Sequence, residues 1–158
     1  MRKQIKFLLL ALILFLSFSS LGFSCSSATL CTNACPKCDL SNAKLRKAYL
    51  AKADLRGTNL RGANLTEANL TSAFLTNANL TNANLSNANL TNANLTNANL
   101  TNANLSGANL KKIKLNGANL SSANLTDTNL TNTDLSKANA NFKDAIGVIK
   151  DQPVTIGK

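Results

Sequence analysis

From Leu40 to Leu135 a leucine falls on every fifth position without a miss. A small residue, nearly always alanine, stands two places before each leucine, and polar Asn, Thr or Ser fill most of the rest, as in Ala78-Asn79-Leu80-Thr81-Asn82. A period of five matches neither the 3.6-residue turn of a helix nor the two-residue alternation of a strand. A fixed internal period signals stacked units that share one continuous core. Within each unit, alternation puts Ala and Leu on one side of a short extended segment and the intervening Asn on the other. The Thr and second Asn supply a corner, because Asn and Ser bond nearby backbone and Asn tolerates positive φ. Four such corners, each of about a right angle, close a square coil of about twenty residues, and coils stack about 4.8 Å apart.

Residues twenty apart are therefore expected to line up. Leu40, Leu60, Leu80, Leu100 and Leu120 form one inner column, and Asn59, Asn79, Asn99 and Asn119 an outer one. The inner Leu and Ala alternate large and small, which fills a narrow shaft without voids. The outer Asn amides are expected to stack on one another, as amide ladders do in cross-β structure.

The A-N-L-T-N units and Ala53-Asp54-Leu55-Arg56-Gly57 resemble the pentapeptide-repeat proteins, whose unit is A(D/N)LXX. The resemblance runs from residue 38 to about residue 146. It implies an all-β solenoid: a right-handed quadrilateral β-helix, here of about five coils with a short N-terminal cap. Cys35-Pro36-Lys37-Cys38-Asp39-Leu40 also looks like the CxxCDL lead-in of cyanobacterial members. Some relatives mimic DNA and engage DNA gyrase, a role that needs an acidic surface in the cytosol. This basic chain does not fit that role.

Four segments follow: residues 1–24 as a signal peptide, 25–37 as a cysteine-containing cap, 38–146 as the repeat and 147–158 as a tail. The leader has Arg2, Lys3 and Lys6, then the apolar run Phe7 to Phe18, then Ser19 to Ser24. Gly22 and Ser24 frame a cut before Cys25, and Ser26 and Ala28 a second before Thr29. An uncleaved anchor or acylation of Cys25 would instead tether the protein to a membrane, although Gly22 stands where a lipidation signal prefers Leu. The Asn-Leu-Thr/Ser units at Asn69, Asn79, Asn84 and beyond are glycosylation sequons, so a periplasm or thylakoid lumen suits the chain better than a eukaryotic secretory route. Near the end, Ala138-Asn139 followed by Ala140-Asn141-Phe142 shifts the register by two, and Ala145 to Ile149 offer apolar cover for the lower end.

All four cysteines, Cys25, Cys31, Cys35 and Cys38, precede or open the repeat. In an exported protein this favours a disulfide between two of Cys31, Cys35 and Cys38, with the pairing left open. A zinc site is the weaker reading in a chain without histidine, and a redox CxxC lacks its βαβ setting. Cys38 occupies the first Ala position and is expected to point into the shaft.

The net charge of +10 falls to +7 once the leader is removed. Cations crowd the first coil at Lys44, Arg46, Lys47, Lys52, Arg56 and Arg61, with a second group at Lys111, Lys112 and Lys114. A solvated surface is the plainest meaning, an anionic membrane surface the next, and export argues against nucleic acid. Tyr49 and Phe74 are outward aromatics where Asn is the rule, and both are candidate contact residues; Ile113 replaces an inner Ala. With no His and no nucleophile–base pair in the repeat, the chain is expected to be no enzyme, with neither cofactor nor metal site. It is read as an exported structural or interaction module. Its partner is an unknown protein, a membrane surface, or a second copy joined through a coil end. The alternative is an ice- or crystal-surface binder using Thr71, Thr91, Thr131, Thr76 and Thr96, although Ser, Lys and Arg interrupt those arrays.

Overall fold

Two residues in five turn and three run extended, and this simple division recurs through the described units. The computed structural model describes residues 34–136 and 138. Each unit contributes a single bridged residue, and each such residue pairs in parallel with the one twenty positions on. Four ladders result. The first runs through residues 34, 54, 74, 94, 114 and 134, and the second through 39, 59, 79, 99 and 119. The third runs through 44, 64, 84, 104 and 124, and the fourth through 49, 69, 89, 109 and 129. The chain is a β-solenoid whose rungs are too short to grow into conventional strands, because a corner interrupts every one. The ladders start at Ala34, so the last residues of the cysteine-containing segment already follow the coil path.

Every leucine from Leu40 to Leu135 is buried, and from Leu60 to Leu110 their exposure is 0–1%. Ala63, Ala73, Ala88 and their equivalents are buried beside them. The shaft is not purely apolar. Thr58 and Thr133 replace inner alanines and are buried; the Thr58 hydroxyl donates to the Cys35 carbonyl at 2.6 Å and the Thr133 hydroxyl to the Leu110 carbonyl at 2.7 Å. A buried hydroxyl is tolerated when it finds such a partner.

The corners are β-turns closed by a bond from the Ala N–H to the preceding Leu carbonyl, such as Ala83 to Leu80 at 3.0 Å. The third residue of each turn has positive φ, from Lys37 at 62° through Asn82 at 58° to Asn132 at 57°. The second residue does not, which marks these as type II turns. Asn and Gly accept this conformation readily, and Lys, Ser and Glu less so.

Backbone donors are accounted for almost completely in the middle of the solenoid. In the unit around Leu80, the Leu80 N–H donates to the Asn99 carbonyl of the next coil and the Asn82 N–H to the Thr101 carbonyl. The Asn79 N–H reaches back to the Thr58 carbonyl, and the Ala83 N–H closes the turn. The fifth donor, the Thr81 N–H, goes to the Asn79 side-chain oxygen at 3.1 Å. Every Asn or Asp between the inner Ala and Leu accepts in this way from the residue two places on. The stacked-amide expectation is corrected by this. The outer Asn chiefly caps its own corner, and among the described residues side-chain bonds also run along a ladder at pairs such as Asn59 to Asp39 at 2.9 Å and Asn104 to Asn84 at 3.5 Å. The nearer acceptor wins because a turn brings the i+2 N–H to the side chain with no further ordering.

Candidate interaction surface

The outward positions are where units differ, so the surface is built from exceptions. Lys44, Tyr49, Phe74 and Lys114 stand where Asn or Asp is the rule. The Lys44, Phe74 and Lys114 side chains hold no acceptor for the N–H two places on, so they forgo the cap their neighbours have. Phe74 is 49% exposed and Tyr49 58% exposed. They lie on different ladders, so the structure does not bring the two aromatics onto one face. Phe74 instead stacks between Asp54 and Asn94, on the ladder that also carries Lys114.

The first-coil cations divide into paired and unpaired groups. Glu67 bridges Arg46 at 2.8 Å and Lys47 at 3.2 Å, and Arg56 binds Asp54 at 2.6 Å. The Arg46 hydrogen bond, then that of Lys47, holds the Glu67 carboxyl below its ordinary range. The Arg56 side chain does the same for Asp54. Asp39 is lowered chiefly by the Ser41 backbone N–H, through the same corner cap that Asn provides elsewhere. Lys37, Lys44, Lys52 and Arg61 have no ion-pair partner among the described residues. A shallow open depression runs down one corner column, lined by Pro36, Lys37, Arg56, Gly57, Thr76 and Asn77.

The structure joins Cys35 to Cys38 in a disulfide, with their Cα atoms 5.4 Å apart. Cys35 falls in the leucine register and Cys38 in the alanine register, so the bond spans the first corner from its first residue to its fourth. Pro36 suits the second position of that type II turn, and it has no N–H to cap, which matches the absence of an Asx residue at Ala34. Thr58 then ties the Cys35 carbonyl to the next coil. Cys38 is half-buried. Cys25, Cys31, the leader and residues 139–158 lie outside the described residues. Among the described residues no group of three His, Cys, Asp or Glu could hold a metal, and no helix is long and apolar enough to cross a membrane.

Stacked five-residue units around a Leu/Ala shaft define a repeat solenoid with outward-facing ladders. Pentapeptide repeats match in 8 copies, over residues 38–77, 75–111 and 103–144. The chain belongs to the pentapeptide-repeat family. Its fold is similar to a pentapeptide repeat protein from the cyanobacterium Cyanothece 51142, with TM-score 0.70 and 34% identity over 73% of this chain and 92% of that one. It is also similar to a pentapeptide repeat protein of the Arabidopsis thaliana thylakoid lumen, with TM-score 0.60 and 32% identity over 70% of this chain and 77% of that one. A search of curated proteins finds no match. Pentapeptide-repeat proteins are structural modules with diverse roles.

Proposed function

We propose that the chain is an exported, non-catalytic interaction scaffold, a right-handed quadrilateral β-helix of about five coils that presents its ladders and ends to a partner. The observation that carries this is the division of labour in each unit. The inner Leu and Ala fill the shaft, the corner and the Asn oxygen satisfy the backbone, and only the outermost positions are left to vary. A rigid surface with side chains at coil spacing is how solenoids offer extended binding faces. The thylakoid-lumen relative supports placing this chain beyond a membrane, with residues 1–24 as the leader and 25–37 as a disulfide-pinned cap. The partner is a protein, a membrane surface or a second copy meeting a coil end.

Ice or crystal binding is weakened at most of its corners, Thr71 and Thr76 apart. The Thr81, Thr91, Thr96, Thr101, Thr126 and Thr131 hydroxyls donate to Asn oxygens at 2.6–2.7 Å, which commits their protons within the chain. To test the scaffold reading, photo-crosslinking side chains are placed at Phe74, Asn79, Asn84 and Asn89, one on each ladder, and activated in the native periplasm or lumen. Adducts concentrated on one ladder are expected. Equal labelling of all four contradicts it, as does no labelling together with no binding to vesicles or to a second copy.

A further inference from the structure

We propose that the first coil is a cationic collar that docks end-on onto an anionic bilayer, with lipid headgroups as its ligand. This rests on the scaffold reading and names its partner. The charge distribution is the first support: residues 34–62 carry seven Lys and Arg against Asp39 and Asp54, whereas residues 63–110 hold Glu67 as their single charge.

Placement around the axis is the second. Within residues 34–62, the four cations without an ion pair among the described residues occupy all four sides of the coil path. Lys37, at the corner after the Ala34 rung, Lys44, on its own rung, and Lys52, at the corner after Tyr49, lie in the first coil; Arg61, at the corner after Asn59, supplies the remaining side from the start of the second. All four are exposed. A stripe along one ladder would suit a linear polyanion, but a ring at one end suits a flat surface crossing the axis. Lysine and arginine stems let the charged heads extend past the coil edge, and exposed Tyr49 on the same coil is a residue type that favours the membrane interface.

The third support is that these residues break local rules. Lys37, Lys47 and Lys52 take φ of 62°, 58° and 61° at corners where the central coils use Asn. Lys44 stands where Asn would cap the Arg46 N–H. Lys47 gains an exposed ion pair with Glu67, whereas Lys44 and Lys52 are exposed and gain no ion pair among the described residues. Local rules broken without a structural return point to function. The chain path adds proximity: Ala34 is nine steps from Cys25, so a membrane tether at Cys25 keeps the collar within about 30 Å of the bilayer. A weak electrostatic contact then adds to the tether, as two-signal membrane attachment requires.

The test is vesicle flotation of the full chain with phosphatidylcholine vesicles and with mixed phosphatidylglycerol–phosphatidylcholine vesicles. Hydrophobic insertion of the leader contributes equally to both, and Arg2, Lys3 and Lys6 of the leader are present in every variant, so the difference between wild type and the collar variants on anionic vesicles reads the collar. Wild type is expected to prefer the anionic vesicles and to lose that preference at about 0.5 M salt, where screening is nearly complete beyond a few ångströms. The quadruple variant Lys37→Gln, Lys44→Gln, Lys52→Gln, Arg61→Gln should lose about fivefold in binding per cation, roughly several hundredfold in all. Lys111→Gln, Lys112→Gln, Lys114→Gln removes three charges more than a Debye length of about 10 Å from the collar and should change binding little. Should the quadruple variant lose its circular dichroism spectrum, the double variant Lys44→Gln, Arg61→Gln, away from the strained corner positions, is expected to lose about 25-fold. Equal binding to neutral vesicles, unaltered binding of the collar variants, or an equal loss in the far-end variant overturns the proposal. Crosslinks to a protein on one ladder without vesicle binding overturn the collar and leave the scaffold reading standing; vesicle binding without crosslinks supports the collar and removes a protein partner on the ladders.

Discussion

The first coil and the central coils share one backbone and use it differently. Around Leu90 the inner positions are sealed, the corner holds Asn92 at a φ Asn tolerates, and Asn89 caps the Thr91 N–H at 3.1 Å. Around Leu45 the leucine is 6% exposed, the corner holds Lys47, and Lys44 leaves the Arg46 N–H without its side-chain acceptor. The central coils show what the fold requires, and the first coil shows which of those requirements the chain gives up. In a repeat protein regular units report architecture, and irregular ones are where a specific role is written.

The largest expected effects test the sealed centre. Leu90→Ala should cost about 2–5 kcal/mol by leaving a cavity, and Ala88→Leu about 1–3 kcal/mol by overpacking. Leu45→Ala, nearer the open end, should cost less than Leu90→Ala. Denaturant unfolding measures all three, and a Leu45 loss exceeding the Leu90 loss would erase the contrast between the coils. Asn89→Ser should be mild beside either, because water can reach the Thr91 N–H.

Next in size is the tie between the cap and the second coil. Thr58→Val keeps the shape but removes the donor to the Cys35 carbonyl, and should cost about 0.5–1.5 kcal/mol. The loss should appear as faster hydrogen exchange confined to the first coil; uniform loss of protection would place Thr58 in the global core instead.

The corner residues give a smaller effect of opposite sign in the two regions. Lys52→Gly should stabilise the protein by up to about 1 kcal/mol by relieving a left-handed backbone, whereas Asn82→Ala should destabilise it by a similar amount. Melting temperatures of the two variants should therefore move apart. Movement in the same direction would show that corner φ does not distinguish the coils.

The smallest effect is electrostatic. The folded-state pKa of Glu67 is depressed by Arg46 and Lys47, so its contribution is present above the ordinary glutamate range near about 4.3 and fades as pH falls through the lower folded value. Because the pair is exposed, a modest extra acid sensitivity in wild type relative to Glu67→Gln is expected, read by melting temperature against pH.

The shaft was legible because leucine and alanine recur in a register that admits one burial pattern. The corners were legible because Asn and Gly recur where φ must be positive. The role of Asn79 and its equivalents was not, since an outward amide has two geometrically reasonable partners and only the turn shows which is nearer. The Arg46–Glu67 bridge spans 21 residues and becomes visible only once the coil length is known. The disulfide pairing carries a sequence signal: Cys35 lies in the leucine register, so Cys35 and Cys38 are the ends of one turn. The buried hydroxyls of Thr58 and Thr133 could be read as departures from Ala, but their carbonyl partners could not.

The central claim is that residues twenty apart are neighbours and residues ten apart are on different ladders. Spin labels at Asn84 and Asn104, in a background lacking Cys25 and Cys31, test it by dipolar broadening against a second pair at Asn84 and Asn94. Strong broadening for the first pair, set by a coil spacing of about 4.8 Å, and little for the second is the expected result. Equal broadening in both pairs, or stronger broadening for Asn84 with Asn94, would contradict the twenty-residue coil on which the ladders, the corners and the collar all depend.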